Sequence, residues 1–309
     1  MLLRLFCLIA LVIATVVCLA IGAFESYMWL LWLPLMALGI VLLQLVLAFL
    51  FLLVLASAVD LKKEQDHDSK LYRKTIELYL DAALPPLRWN IKTKGMDKVP
   101  ADGRFLVVCN HVSLADPVVL LHVFAGRQLA FISKQENQGL FIVGKVMHKM
   151  LCQPINREND REALKTIVKC IQILRDDKAS VAVFPEGYIH PDRKLHHFRS
   201  GVFKIAQKAE VPIVVCTVKN TKQIFRNMRK LKKTDVTLHL VDVIPAEELK
   251  GVTLESLVVA ERVARAVRIK AQRGLVDLSK FPLLLHIDEI VTNKMPVNIP
   301  WEKFTYEQI

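Results

Sequence analysis

The sequence is short of cysteine, short of acid and, over its N-terminal stretch, almost without charge. Six cysteines (Cys7, Cys18, Cys109, Cys152, Cys170 and Cys216) are spread over 309 residues, with no C-x-x-C spacing. That excludes a small disulfide scaffold. No second His or Cys pair has ligand spacing, so no metal centre is expected. The cysteines read as reduced, mostly buried small apolar residues. There is no internal repeat, no low-complexity segment and no G-x-S-x-G nucleophile elbow. With 53% hydrophobic residues the chain is too apolar to be a disordered polymer.

The missing charge is local. From Leu5 to Phe24 no charged side chain occurs, Glu25 interrupts, and Ser26 to Val59 is uncharged again. A bilayer core about 30 Å thick needs about 20 helical residues, and both stretches qualify. The short link around Glu25, Ser26 and Tyr27 implies an antiparallel hairpin. Pro34 is expected to mark the start of the second regular helix. Tyr27, Trp29 and Trp32 sit where an interfacial aromatic belt would lie. A competing reading makes Leu5–Leu19 the apolar core of a cleaved signal, with Ala20-Ile21-Gly22 as the small-residue site. Either way the second segment holds the chain at a membrane. Arg4 at one end and Lys62 and Lys63 at the other put both ends, and everything after Asp60, on the cytoplasmic side.

Arg4 and Glu25 cancel, so the whole formal charge of +12 belongs to residues 60–309. A basic face beside a bilayer suits anionic lipids and phosphate-bearing substrates. Nucleic acid is the usual competing explanation, but no binding motif occurs and none is expected as a partner.

The remainder reads as α/β. Helical character runs over Asp66–Ala83, Pro117–Phe124, Asp160–Arg175, Phe203–Lys208 and Thr253–Gln272. Strands are expected at Phe105–Cys109, Gln128–Ser133, Ser180–Phe184, Val211–Val218 and Thr234–Val243. Strands alternating with helices predict an α/β domain over residues 61–275, preceded by the membrane-anchoring hairpin of residues 1–60. A Pro-interrupted tail follows over 276–309.

Four blocks carry candidate chemistry. Asn110-His111-Val112-Ser113-Leu114-Ala115-Asp116 follows the strand FLVVC and precedes a helix. A neutral imidazole is a suitable general base near pH 7, and a carboxylate on its far nitrogen would fix the tautomer. The pair would activate a substrate hydroxyl directly, with no covalent enzyme intermediate. The plainer alternative has Asp116 capping a helix begun by Pro117 while His111 packs in the core. Phe184-Pro185-Glu186-Gly187-Tyr188 follows another apolar strand and is either a ligand-approaching turn or an ordinary one. Pro154-Ile155-Asn156-Arg157 places an arginine, suited to bidentate phosphate binding, after a short apolar run; by itself it is also an ordinary surface arginine. Val211-Pro212-Ile213-Val214 is a core strand.

In this order and spacing the four blocks, from about Gly95 to Val243, resemble the glycerolipid acyltransferase family, most of all its bacterial 1-acyl-sn-glycerol-3-phosphate acyltransferases. The N-H-x-x-x-x-D signature is met by Asn110, His111 and Asp116, followed in register by I-N-R, F-P-E-G and V-P-I. The resemblance implies a membrane enzyme of phospholipid biosynthesis that moves a fatty acyl group from acyl-CoA or acyl carrier protein to lysophosphatidic acid, forming phosphatidic acid. It needs no metal or other cofactor. It implies that His111 deprotonates the acceptor hydroxyl, Asp116 orients His111, and Arg157 contacts the acceptor phosphate. Glu186 and Gly187 match the acceptor-binding turn. Arg199, in the F-x-x-G segment Phe198–Gly201, and Lys134 are further substrate-binding candidates. The chain departs from the pattern at Tyr188 and Ile189, where the family often has Thr-Arg, at Cys152-Gln153 and at Val215. Those departures leave other acceptors open: another lysophospholipid, glycerol 3-phosphate or an amino-acid lipid. A thioester hydrolase and a catalytically idle membrane scaffold are the readings from other classes.

Last, a basic run after the fourth block carries Lys219, Lys222, Arg226, Arg229, Lys230, Lys232 and Lys233 with Phe225 among them. It is either a solvated face or a contact with the membrane surface.

Overall fold

In the computed structural model, residues 2–189 and 200–250 are described. The expected helix over Thr253–Gln272, the tail and Arg199 lie outside those residues.

Two long helices come first, α1 (Leu2–Ala20) and α2 (Trp29–Ser57). They pack on each other through small residues: Ala10, Ala14 and Cys18, four apart, are fully buried. Such a seam lets two backbones approach closely. Their outer faces are leucine, valine and phenylalanine left exposed. Both helices are long and apolar enough to cross a membrane. The second helix starts at Trp29, five residues before Pro34, and Pro34 lies inside it. Pro34 is the sixth residue of this helix, past the four N–H groups that lack an intrahelical acceptor, so its missing N–H leaves the Leu30 carbonyl without its usual i+4 donor.

The next helix, α3 (Lys70–Ala83), begins later than the Asp66 expected from sequence. Asp68 is used instead in a buried bidentate pair with Arg73, at 2.6 and 2.7 Å, and Arg73 also donates to the Leu129 carbonyl. Tyr72 and Tyr79 donate from α3 to the carbonyls of Leu55 and Ala48, both at 2.8 Å, which fastens α3 along α2.

A seven-stranded sheet follows: β1 (Trp89–Lys94), β2 (Leu106–Cys109), β3 (Leu129–Lys134), β4 (Gln153–Ile155), β5 (Ser180–Val183), β6 (Ile213–Lys219) and β7 (Thr234–Ile244). The order is β1-β7-β6-β2-β5-β3-β4. Strands β6, β2, β5, β3 and β4 run parallel, while β7 is antiparallel to β6 and carries β1 parallel to itself. The central strands are apolar on both faces because helices cover both. Leu106, Val108, Val181, Val183 and Ile213 meet α6 (Asp160–Arg175) and α7 (Phe203–Ala209). Val107, Cys109, Ala182, Val214 and Cys216 meet the other side, with α3, α4 (Asp116–Val123), α5 (Phe141–Lys149) and α8 (Ile224–Met228). Val59 joins this second core, so the hairpin and the sheet share packing.

Two edge strands and α5 had no counterpart in the sequence reading. Gly95, just after β1, is left-handed at φ +71°, and a Cβ there would stand 2.5 Å from the Leu240 carbonyl oxygen. That close approach requires glycine.

Candidate active site

The parallel strands β2, β5, β3 and β4 are neighbours, so their carboxyl ends share one edge of the sheet. Each carries one candidate group. The His111 loop leaves β2, the Phe184–Tyr188 turn leaves β5, Lys134 ends β3, and Arg157 stands two residues past β4. In open α/β sheets this edge is where ligands bind.

Strand β2 ends where the Asn110 side chain takes over its ladder. Its Oδ1 accepts the Val218 N–H at 2.7 Å and its Nδ2 donates to the Val218 carbonyl at 3.1 Å. An amide side chain thus makes both bonds of a peptide group toward β6, and the main chain is released to turn out of the sheet. The His111 main-chain N–H then donates to Glu186 Oε1 at 2.9 Å.

His111 Nδ1 lies 2.9 Å from Asp116 Oδ2. The same oxygen accepts the N–H groups of Val112 at 2.7 Å and Ser113 at 2.8 Å. Asp116 is fully buried in the first turn of α4, where a helix start favours negative charge. Its carboxylate ties down the loop before the helix. No side-chain cap bond reaches into α4, so the simple capping alternative does not describe it. The imidazole is stacked on Phe184 with centroids 4.1 Å apart and planes 17° from parallel. The ring is thereby fixed in plane by Phe184, in rotation by Asp116 and in backbone by Glu186. With Nδ1–H donating to a carboxylate, Nε2 is the basic nitrogen.

Glu186 is 3% exposed. The sequence reading pointed it at the acceptor; the bond it makes to the His111 backbone is a positioning contact which the motif did not reveal. Gly187 closes its turn by donating to the Phe184 carbonyl at 3.0 Å and sits at φ +80°, where a side chain is strained.

Arg157 lies half-buried with its guanidinium 4.9 Å from the centre of the Tyr188 ring. Tyr188 stands at a departure from the family pattern, and it holds Arg157 by a cation–π contact. Lys134 is exposed and pairs with Glu136 at 2.6 Å. The Glu136 carboxyl is held below the usual range by that hydrogen bond first, with the Lys134 and Arg157 charges adding to it. Lys134, Glu136 and Arg157 therefore share one electrostatic neighbourhood.

The nearby thiols are not nucleophiles. Burial pushes Cys109 and Cys216 well up, and Cys152 up to about 11. At neutral pH all three stay protonated. The Ser113 hydroxyl accepts the Ala115 N–H at 3.2 Å within its own turn. No cluster of three metal-ligating side chains occurs among the described residues.

Known proteins resemble this part of the chain. Residues 90–219 match the family model described as Acyltransferase. A probable 1-acyl-sn-glycerol-3-phosphate acyltransferase of Mycoplasma pneumoniae is 35% identical over 135 residues, 42% of this chain and 50% of that one. The 1-acyl-sn-glycerol-3-phosphate acyltransferase of Borreliella burgdorferi is 26% identical over 180 residues, covering 57% and 71%. The crystal structure of the lysophosphatidic acid acyltransferase PlsC from Thermotoga maritima superposes with a TM-score of 0.50 at 23% identity, covering 73% of this chain and 86% of that chain. That last likeness is one of fold. The chain spans about half the length of the first curated relatives it matches.

Proposed function

We propose that this chain, whose residues 90–219 match the family model described as Acyltransferase, transfers a fatty acyl group from an acyl thioester to the free hydroxyl of 1-acyl-sn-glycerol 3-phosphate and so makes phosphatidic acid at a membrane. The observation that carries the reading is the oriented His111–Asp116 pair, 2.9 Å apart, on the same sheet edge as Arg157.

In the proposed reaction His111 Nε2 takes the proton of the acceptor hydroxyl as its oxygen bonds to the thioester carbonyl carbon. The imidazolium that forms is stabilised by the Asp116 carboxylate. The tetrahedral intermediate collapses by breaking the C–S bond, and the imidazolium proton passes to the departing thiolate. An ester and a free thiol result, and His111 returns neutral. Arg157 binds the acceptor phosphate, with Lys134 adding positive charge at the entrance. Arg4, Lys62 and Lys63 at the ends of the hairpin support a cytoplasmic placement of the catalytic domain.

The test is acyl transfer by the purified, detergent-solubilised chain, with labelled oleoyl-CoA or oleoyl acyl carrier protein offered to a panel of lysolipids and glycerol 3-phosphate. Phosphatidic acid formed by the wild type and lost in His111→Ala is the expected result. Transfer only to a different acceptor would overturn the substrate and keep the base. Release of free fatty acid without transfer would make the chain a hydrolase.

A further inference from the structure

The basic segment after β6 takes no part in the chemistry above. Lys219, Lys222, Arg226, Arg229, Lys230, Lys232 and Lys233 are all exposed, and no acidic residue lies within 219–233; Lys233 pairs with Asp235 just beyond the segment at 3.5 Å. Phe225 is 48% and Leu231 75% exposed in the same stretch.

This segment is built rather than loose. Thr221 and Ile224 are fully buried beneath it. The Asn227 carbonyl accepts the N–H groups of Lys230 and Lys232, and its side chain donates to Thr234 Oγ1 at 3.1 Å. Leu231 sits in the left-handed region at φ +51°, which a leucine seldom adopts. Its carbonyl is held at 2.7 Å by Nη1 of Arg88. The fold therefore keeps a leucine pointing outward among lysines and arginines.

Its place relative to the hairpin follows from α3. The Tyr72–Leu55 and Tyr79–Ala48 bonds mean that α3 runs antiparallel to α2, back toward the bilayer. Near its end Leu78 and Tyr79 share an apolar cleft with Gln44 and Leu47 of α2 and with Leu2 and Phe6, at the start of α1. From that end of α3 the chain turns directly to Arg88: the Leu84 N–H donates to the Leu80 carbonyl, the Arg88 N–H to the Pro85 carbonyl and the Trp89 N–H to the Leu84 carbonyl, so the residue that holds Leu231 follows the turn that ends α3. At its other end the segment begins at Lys219, next to the Val218 peptide that binds Asn110.

We propose that residues 219–233 are a docking face for the anionic headgroups of the bilayer that holds the hairpin, with Leu231 and Phe225 entering the boundary between headgroups and acyl chains. The hairpin fixes where the domain is. This second contact fixes how it is turned, and sets the His111 edge of the sheet against the leaflet that supplies lipid substrates. The inference rests on the membrane placement of the hairpin and is independent of the acyl-transfer reading.

The test uses the full chain in vesicles of phosphatidylcholine, alone or mixed with phosphatidylglycerol. An environment-sensitive fluorophore is placed at Leu231→Cys in a Cys7→Ser background, since the other described cysteines are buried. In the mixed vesicles the reporter should shift to the blue and lose most of its quenching by aqueous iodide. Its inserted population should fall by about fivefold for each basic side chain removed from contact with the anionic leaflet. Arg229→Glu, Lys230→Glu and Lys232→Glu together should return it to water, and the corresponding glutamine variant, which adds no repulsion, should give the intermediate loss. A reporter in water in every bilayer overturns the proposal. So does insertion that is equal in neutral vesicles, or indifferent to the substitutions. Salt-sensitive binding of a duplex oligonucleotide, lost in the same variants while the reporter stays aqueous, would assign the face to nucleic acid instead.

Discussion

At the scale of single residues, the loop geometry separates His111, proposed to react, from the groups that hold it in place. Removing a general base costs about 10²–10⁴-fold in rate, so His111→Ala should lower kcat by that factor with the protein still folded. Glu186 gives a sharper test, because binding the acceptor and holding the His111 backbone predict different kinetics. Glu186→Gln keeps an oxygen for the His111 N–H and should retain most activity. Glu186→Ala should lower kcat by about tenfold or more with KM little changed, since the loss of a buried hydrogen bond costs about 1–3 kcal/mol. A rise in KM for the acceptor alone, at unchanged kcat, would assign Glu186 to acceptor binding instead. Arg157→Ala should act the other way and raise KM for a phosphate-bearing acceptor. Loss of a charged hydrogen bond worth about 1.5–3 kcal/mol corresponds to roughly 10–100-fold in kcat/KM. A second consequence follows from the thiols. Because burial raises the Cys109, Cys152 and Cys216 values, the thiolate forms only well above neutrality. Alkylating reagents near pH 7.5 should leave transfer intact, and inactivation faster than unfolding would contradict the exclusion of a cysteine nucleophile.

At the scale of elements, α3 joins the membrane hairpin to the sheet. The Asp68–Arg73 pair is almost wholly buried, at 1% and 5% side-chain exposure. Arg73→Ala would leave a buried carboxylate without its partner, a change that costs about 3–5 kcal/mol. Thermal or denaturant unfolding in detergent should show that loss directly. Replacing both residues by apolar ones should cost much less, since the pair by itself contributes little net stability. Asn110 works at this scale too, because its amide extends the β2–β6 ladder by one step. Asn110→Ala leaves the Val218 peptide without those bonds and frees the loop that carries His111.

At the scale of the whole molecule, the sheet gathers groups that are far apart in sequence. His111, Glu186, Lys134 and Arg157 come from four strands whose carboxyl ends coincide only because all four run the same way. In the proposed arrangement the hairpin and the basic face are two attachments to one bilayer. A long helix α2, roughly 43 Å at 1.5 Å per residue, exceeds what the hydrocarbon core requires. Helix α3 packs along the last turns of α2 through the Tyr72–Leu55 and Tyr79–Ala48 bonds.

Much of this was legible in the sequence for a physical reason: apolar runs and their periodicity report burial, which is local to an element. The two hydrophobic helices, the strands expected at Phe105–Cys109 and Ser180–Phe184 (observed at Leu106–Cys109 and Ser180–Val183), and the helix Asp160–Arg175 are legible that way. The H-x-x-x-x-D spacing, too, is short enough for one loop to close on itself, and the structure places His111 and Asp116 together. Strands β1 and β4 escaped because they are edge strands, half solvated and weakly patterned, and exist by pairing with partners distant in sequence. The bonds from Asn110 to Val218 and from His111 to Glu186 span 108 and 75 residues. The stacking of Phe184 on His111 and the cation–π contact of Arg157 with Tyr188 likewise join separate segments. Sequence by itself determined which residues are chemically able to act and which elements are apolar. Only the tertiary structure decided which of them meet, because a hydrogen bond or ring contact depends on the order and direction of strands, and those are settled by packing of the whole chain.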